Sequence, residues 1–188
     1  AVLKLSSAVT STPVTLMSSS DFNALAFGES LKVMGWGNRT TDITESDYPN
    51  TLYEVDVDYA NFNTCNENYG GGLTNNVFCA GGNGITDSCQ GDSGGPIVQL
   101  VNGEYQQLGI VSTGGNEAQY CAVLNLPGIY TKTSNYQSWI DSVIAGNESP
   151  GTNILGSSGS GSGSLGGILF LLVSSTLWRA RKKYQGSL

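Results

Sequence analysis

Short runs in which apolar and polar side chains alternate recur along the chain up to residue 132, and this period of two is typical of β-strands. The clearest run is YEVDVDY, residues 53–59, which places its aromatic and valine side chains on one face and its acidic side chains on the other. Further short apolar runs occupy residues 31–36, 76–80 and 128–132. Because glycine-rich turns separate the runs, the pattern predicts an all-β domain, either a barrel or a sandwich.

Two features of the same pattern concern where strands begin and turn. Residues 96–111, PIVQLVNGEYQQLGIV, contain two strand-like runs joined by Asn102-Gly103. Asn-Gly in this position is the strongest short-range signal of a β-hairpin. The first residues, AVLKLSS at 1–7, alternate from the start. We therefore expect a hairpin at 96–111, and a chain that begins inside a strand and lacks an upstream portion.

Near the end of the domain, the apolar period changes from two to that of a helix. Ser134 can cap the segment SNYQSWIDSVIAG, and Gly146 can stop it. Its apolar residues recur at helical spacing: Tyr136, Trp139, Ile140, Val143 and Ile144. We expect a helix that packs this stripe on the β domain.

The composition then changes and divides the chain into a domain, residues 1–146, a linker, 147–164, and a tail, 165–188. The linker contains GSSGSGSGS, which has nothing to bury. The tail opens with an uncharged apolar run at 165–178 and continues with RARKK. Fourteen residues are few for a spanning helix, which needs about 20, and a core helix is the alternative. The flanking linker and basic cluster favour membrane insertion.

Charge and cysteine content narrow the class of protein. The eight basic residues divide equally between the tail and the rest of the chain, which carries all fifteen acidic residues, so that the body has a net charge of −11. This charge argues against nucleic-acid binding. Four cysteines, at 65, 79, 89 and 121, have no C-x-x-C spacing, and the chain has no histidine. A metal site is therefore not expected. Two disulfides in an oxidising compartment are favoured over free cytosolic thiols, with three pairings open.

The segment DSCQGDSGGP, residues 87–96, resembles the nucleophile segment of trypsin-like (chymotrypsin-fold) serine proteases. Five further motifs follow that family's order: GWGN at 35–38, FCAGG at 78–82, GIVSTGG at 109–115, PGIYTK at 127–132 and NYQSWI at 135–140. The resemblance covers roughly residues 1–146 and implies a partial protease domain without a cofactor. The implied fold is the C-terminal Greek-key β-barrel of the double barrel, with most of the N-terminal barrel missing and one C-terminal α-helix.

The resemblance also assigns the catalytic turn. Ser93 matches the nucleophile that attacks a peptide carbonyl and forms an acyl-enzyme. The backbone N–H groups of Gly91 and Ser93 match the oxyanion hole. Asp92 matches the residue that pairs with a new N-terminal ammonium after zymogen cleavage. Because that N-terminus is not in this chain, we expect Asp92 to lack a partner.

The primary specificity pocket is assigned in the same way. Asp87 matches its base, and a carboxylate there would prefer Arg or Lys before the scissile bond of a protein substrate. Gly114 and Gly128 match its walls, and Ser88 matches a neighbour that can hydrogen-bond the cation. A solvated loop aspartate is the plainer reading of Asp87.

The implied disulfides are Cys65–Cys79 and Cys89–Cys121, and three positions depart from the family pattern. Thr113 stands where tryptophan is common, while Gln99 and Ser134 stand where cysteines are common. Substrate contacts beside the pocket are therefore in doubt, and two family disulfides are absent.

A serine nucleophile needs a base, and in this family histidine and aspartate precede the serine along the chain. AVLKLSS resembles the segment that directly follows the triad aspartate, so both residues would lie upstream, and this chain alone should be inactive. The alternatives are a catalytically inactive homologue that acts as a surface binding protein, and a surface structural protein that uses the barrel as a scaffold.

The tail has a looser resemblance of its own. Ser-Leu-Gly-Gly at 164–167, a short apolar helix and a basic end are similar to the Gly-Gly sorting tails of secreted gammaproteobacterial proteins. A rhomboid-type protease removes those tails. The alternative is a single-pass anchor with RARKK on the inner side. Either implies a secreted or surface protein, attached to the membrane at least transiently through 165–178.

Overall fold

The structure, a computed structural model, describes residues 1–147. The predicted linker beyond residue 147 and the apolar segment 165–178 lie outside the described residues. Within residues 1–147, no helix has the length and apolar character needed to cross a membrane.

Seven strands form one sheet in the order β3-β2-β5-β6-β7-β4, with β1 beside β6. The strands are β1 (Thr15–Leu16), β2 (Ser30–Gly35), β3 (Tyr53–Asp58), β4 (Val77–Ala80), β5 (Pro96–Val101), β6 (Glu104–Thr113) and β7 (Gly128–Lys132). All neighbours pair antiparallel except β1, which is parallel to β6. The predicted strands of the sequence pattern are therefore confirmed, apart from residues 1–7, which form no strand.

The sheet curls until its two edge strands meet. Tyr59 and Ala80 form an antiparallel bridge just past the end of β3. The Ala60 N–H donates to the Cys79 carbonyl at 2.9 Å, and the Gly81 N–H donates to the Asp58 carbonyl at 2.8 Å. This closure satisfies backbone groups that an open edge would expose. It confirms the predicted all-β barrel.

Apolar side chains from the inner face of the sheet fill the barrel. The alternation in β3 turns Val57 inward at 1% exposure, whereas Glu54 and Asp56 stay exposed and pair with Lys32 of β2. The largest fully buried side chains include Phe78 and Tyr130, whose stacked rings lie 5.4 Å apart. Burial of such side chains is the main stabilising contribution to the fold.

The β5–β6 hairpin turns at the predicted Asn102-Gly103. Both residues have positive φ, 52° and 86°. A two-residue turn of this kind matches the twist of the flanking strands, and Asn and Gly adopt it with the least strain. The predicted hairpin is confirmed.

The C-terminal helix is present, but it begins later than predicted. A 3₁₀ turn covers Thr133–Tyr136, and the α-helix α3 covers Gln137–Ile144. Ser134 does not cap it, because this residue is buried within the 3₁₀ turn and its side chain bonds no helix N–H.

The apolar stripe of α3 is only partly buried, which corrects the expectation that the whole stripe packs on the barrel. Ile140 packs beside Ile110 of β6, with Leu16 and Tyr136 against them. Trp139 and Ile144 remain 38% and 69% exposed.

The sequence pattern missed two short helices. They are α1 (Ser19–Asn23), capped by Ser18, and α2 (Phe62–Asn68), capped by Asn61. One or two turns are too short to show a helical apolar period, but both caps are of the preferred residue types.

Candidate active site

The nucleophile segment forms a tight turn between Cys89 and β5. Within the turn, the Asp92 N–H donates to the Cys89 carbonyl at 3.0 Å, and the Gly95 N–H donates to the Asp92 carbonyl at 2.8 Å. The Gly94 N–H and the Gly95 carbonyl both bond the backbone of Val111 in β6 at 2.9 Å. The barrel wall therefore holds the turn directly after Ser93, which is itself exposed.

The turn leaves two backbone donors beside Ser93. Among the hydrogen bonds of residues 1–147, none has the N–H of Gly91 or of Ser93 as its donor. Gly91 has a φ of +99°, and a Cβ there would lie 3.1 Å from the Cα of Gly37 and 3.2 Å from the Cε1 of Tyr48. Only glycine fits this conformation and space, and both N–H groups are available to an incoming oxygen.

Asp92 is half-buried beside the segment that follows β2. Its carboxylate accepts hydrogen bonds from the Gly37 N–H at 2.8 Å and the Cys89 N–H at 2.9 Å. A side chain at Gly35 or Gly37 would collide with it. Burial raises the pKa of Asp92, and the two N–H donors oppose this rise. Asp92 thus has two N–H donors, and among residues 1–147 no lysine, arginine or N-terminal ammonium forms an ion pair with it.

Asp87 lies where two other segments converge. Its Oδ1 accepts the Ser88 N–H at 2.8 Å, and its Oδ2 accepts the Ala122 N–H at 2.9 Å. Burial raises its pKa to about 6, against the opposing effect of these two donors. Among residues 1–147, no lysine or arginine forms an ion pair with this carboxylate.

Glycines leave the space around Asp87 open. A Cβ on Gly128 would lie 2.8 Å from Asp87 Oδ1, and a Cβ on Gly114 would lie 3.3 Å from the Cα of Gly128. The Ser88 hydroxyl lies 3.1 Å from the hydroxyl of Tyr130, which is fully buried. The four residues that the sequence assigned to a pocket thus lie together, and two of them, Asp87 and Ser88, come shortly before Ser93 in the chain.

Both disulfides of the structure are the pairs that the resemblance implies. Cys65–Cys79 joins α2 to β4. Cys89–Cys121 joins the start of the nucleophile turn to the segment that contains Ala122. The second bridge therefore ties the turn to one of the two donors of Asp87.

Where the family commonly has cysteine, this chain has polar contacts. The Gln99 amide donates to the Glu29 carboxylate at 2.6 Å, and the other oxygen of Glu29 accepts the Ala26 N–H at 3.0 Å. The Ser134 carbonyl accepts a bond of 3.5 Å from the Ser19 hydroxyl. Thr113 is exposed at the end of β6.

A cleft of about 520 Å³ lies elsewhere on the surface. Its lining comes mostly from the 39–47 loop, with Gly84, Ile85 and Gln119. Neither Ser93 nor Asp87 lines it, and no group of three or more potential metal ligands occurs in residues 1–147.

The closed antiparallel barrel and its serine turn place this structure in the chymotrypsin-fold class of serine proteases. A family model described as Trypsin matches residues 1–140, and the chain belongs to that family. Trypsin-3 of Salmo salar is 47% identical over 116 residues, covering 61% of this chain and 44% of that protein. Trypsin of Sus scrofa is 40% identical over 147 residues, covering 78% of this chain and 59% of that protein.

Solved structures give the same relationship. The structure of neuropsin, a serine protease expressed in the limbic system of mouse brain, aligns with a TM-score of 0.58 at 32% identity. The alignment covers 71% of this chain and 54% of neuropsin. This chain thus spans about half the length of the relatives that it matches.

Proposed function

We propose that this chain supplies the nucleophile and the primary specificity pocket of a serine endopeptidase that cleaves peptide bonds after Arg or Lys. The observation that carries the proposal is Asp87, a partly buried carboxylate with two N–H donors and no cation among residues 1–147. Removing a charge from water is costly unless it is paired. The cationic side chain of a substrate would supply that pair.

The proposed reaction proceeds through an acyl-enzyme. Ser93 Oγ attacks the carbonyl carbon of the scissile bond while a general base takes the hydroxyl proton. The carbonyl oxygen becomes an oxyanion and accepts hydrogen bonds from the N–H groups of Gly91 and Ser93. The leaving amine departs with a proton from the same base, and water then releases the acyl group. Each preorganised donor lowers the barrier by about 3 kcal/mol.

The base has to come from outside this chain, since its 188 residues contain no histidine. The family resemblance implies that this base is a histidine oriented by an aspartate, and that both residues precede the serine along the chain. We accordingly expect the chain alone to be inactive and the full-length product of its gene to be active.

The test compares Arg-amide and Phe-amide peptide substrates on the full-length protein. Ser93→Ala should abolish cleavage of both. Asp87→Ser should lower kcat/KM for the Arg substrate by about a thousandfold, because an unpaired buried charge costs about 3–5 kcal/mol. Asp141→Ser, the same substitution on the exposed face of α3, serves as the control.

Three outcomes would contradict the proposal. If Asp87→Ser kept the preference for Arg substrates, Asp87 would not be the base of the pocket. If Ser93→Ala still cleaved the peptides, Ser93 would not be the nucleophile. A full-length protein without activity would favour the alternative, a catalytically inactive homologue that acts as a surface binding protein.

We also propose that the protein is secreted or held at the cell surface. Its two disulfides form and persist in oxidising compartments. The apolar segment 165–178 followed by RARKK supports at least transient membrane attachment. The tail is either a retained anchor or a sorting signal that a processing protease cuts near Ser164–Gly167.

A further inference from the structure

Ala122 has an unusual backbone conformation for a residue with a side chain. Its φ is +53°, in the left-handed region that glycine adopts easily and alanine rarely. Its N–H is the donor to Asp87 Oδ2 at 2.9 Å. Strain of this kind persists only when the surrounding structure holds it in place.

Gln119 provides that hold. Its Nε2 donates to the Cys121 carbonyl at 2.8 Å and to the Ala122 carbonyl at 2.9 Å. The Cys121 carbonyl and the Ala122 N–H belong to the same planar trans peptide group, in which they point in opposite directions. Fixing the carbonyl on one side therefore aims the N–H at Asp87 on the other.

The loop before Gln119 presents its side chain for this task. The N–H groups of Ala118 and Gln119 both donate to Asn116 Oδ1 at 2.9 Å, and the Asn116 N–H donates to the Gln119 carbonyl at 2.8 Å. Gly115 has a φ of +72°, and a Cβ there would collide with the Tyr120 carbonyl. The turn is thus closed on itself, and the Gln119 carboxamide spans from it to the pocket segment.

We propose that Gln119 is a positioning residue for the specificity carboxylate. By holding the Cys121 and Ala122 carbonyls, it directs the Ala122 N–H at Asp87 and keeps that carboxylate oriented to receive the substrate cation. The inference rests on the proposed function, since it adds to the same pocket a residue that acts through Ala122. It predicts that Gln119 acts on the recognition of cationic substrates and not on the bond-breaking step.

The test replaces Gln119 by methionine, which has a similar length and no N–H donor. In the full-length enzyme, Gln119→Met should raise KM for an Arg-amide substrate about tenfold. This is the effect of losing one hydrogen bond to a charged group, here the bond from the Ala122 N–H to Asp87. The inhibition constant of an arylamidinium should rise by the same factor. The kcat for the Arg substrate and kcat/KM for a Phe-amide substrate should stay within about twofold of the wild-type values. Gln137→Met, at a partly exposed position of α3, is the matched control.

A second measurement follows the bond itself. Hydrogen exchange at the Ala122 amide should become faster in Gln119→Met, while exchange in the β5–β6 ladder stays unchanged. If Gln119→Met alone fails to fold, the same substitution in an Ala122→Gly background removes the strained alanine. The shift in KM should persist there.

The outcomes separate this inference from the proposed function. Equal losses for Arg and Phe substrates, or unchanged exchange at Ala122, would reduce Gln119 to a loop-stabilising residue and overturn the inference. A wild-type enzyme without Arg preference would instead overturn the proposed function, and the assigned role of Gln119 with it.

Discussion

Two neighbouring carboxylates, Asp87 and Asp92, differ in what their partners leave free. Both of the Asp92 oxygens accept backbone N–H groups of the barrel side, and glycines at 35 and 37 pack against them. Asp87 also accepts two N–H groups, but it borders the space that Gly114 and Gly128 leave open. Asp87 is therefore the carboxylate that can meet a ligand.

Burial is the largest cause of the raised pKa values of Asp87 and of the two tyrosines whose pKa values its charge affects. Burial first, and then the charge of Asp87, raise the pKa of Tyr69 to about 12 and also raise the pKa of Tyr130. Burial and the nearby charge of Asp92 act in the same upward direction on the pKa of Asp87. Of these groups, Asp87 has a pKa of about 6 and therefore titrates in the mildly acidic range.

A pH dependence of cation binding follows from this pKa. Since the pKa of Asp87 is raised from 3.8 to about 6, the carboxylate loses its charge as the pH falls below 6. The Kd of an arylamidinium for the full-length protein should therefore rise about tenfold per pH unit below pH 6 and stay constant above pH 7. Fluorescence titration at several pH values measures it.

Asp87→Asn is the control, because its weaker binding should not vary with pH. A constant Kd for the wild type between pH 5 and 7 would contradict the assignment. The free energy of unfolding depends on pH in the opposite direction, because a carboxyl whose pKa is raised in the folded state destabilises the fold when it is charged. Stability from this group should increase by about 2 kcal/mol as the pH falls from 6 to 4.

Among the elements, the β5–β6 hairpin is the one whose formation depends on two adjacent turn residues, Asn102 and Gly103. β6 pairs with β5, β7 and β1, so its register positions most of the sheet. The register shifts between Ile97 and Val98 and between Val111 and Thr113 are bulges on the strands that flank the serine turn. Bulges bend strands and redirect the chain next to functional sites.

Gly103→Ala should therefore weaken the whole fold through one turn. Gly103 has a φ of +86°, where a Cβ adds strain of about 1 kcal/mol, although nothing lies within 4 Å of it. Chemical denaturation of the full-length protein should show this loss in the free energy of unfolding. Asn102→Gly keeps the turn and should change that free energy by no more than about 0.5 kcal/mol. An unchanged stability of Gly103→Ala would mean that the turn is not left-handed in solution.

For the whole molecule, closure of the barrel joins segments that are distant in sequence. The Tyr59–Ala80 bridge brings the edge strands together, and Cys65–Cys79 connects α2 to the same edge. Cys89–Cys121 crosses the site instead and spans 32 residues, compared with 14 for the first bridge. Chain entropy gives the longer loop slightly more stabilisation, about 4 against 3 kcal/mol.

The location of the molecule is tested on the full-length protein in its host. We expect it to fractionate with membranes or the cell surface, and deletion of 165–188 should make it soluble, because the apolar segment and the basic cluster are then lost. Mass spectrometry of the mature C-terminus separates an anchor, which keeps RARKK, from a sorting signal, which loses it. A soluble cytosolic chain with four free thiols would contradict both.

At three places, a local rule was enough to predict the backbone from the sequence. The alternation at 53–59, the Asn-Gly turn and the glycines around Ser93 each encode a structure within a few residues, because period, positive φ and close packing are local demands. The Ser134 cap failed because a buried 3₁₀ turn replaced the first turn of the helix. Burial of this kind depends on neighbours that the local pattern does not contain.

The sequence by itself thus determined the strands, the hairpin and the serine turn, and through resemblance it proposed the members of a pocket. Tertiary structure alone decided that Asp87 is held by Ala122, that Gln119 holds Ala122 in turn, and that Gln99 meets Glu29. Asp87 and Ala122 are 35 positions apart, and Gln99 and Glu29 are 70 apart. Contacts at such separations arise only when the barrel closes, because a hydrogen bond is specified by where two atoms lie in space and no local period records that distance.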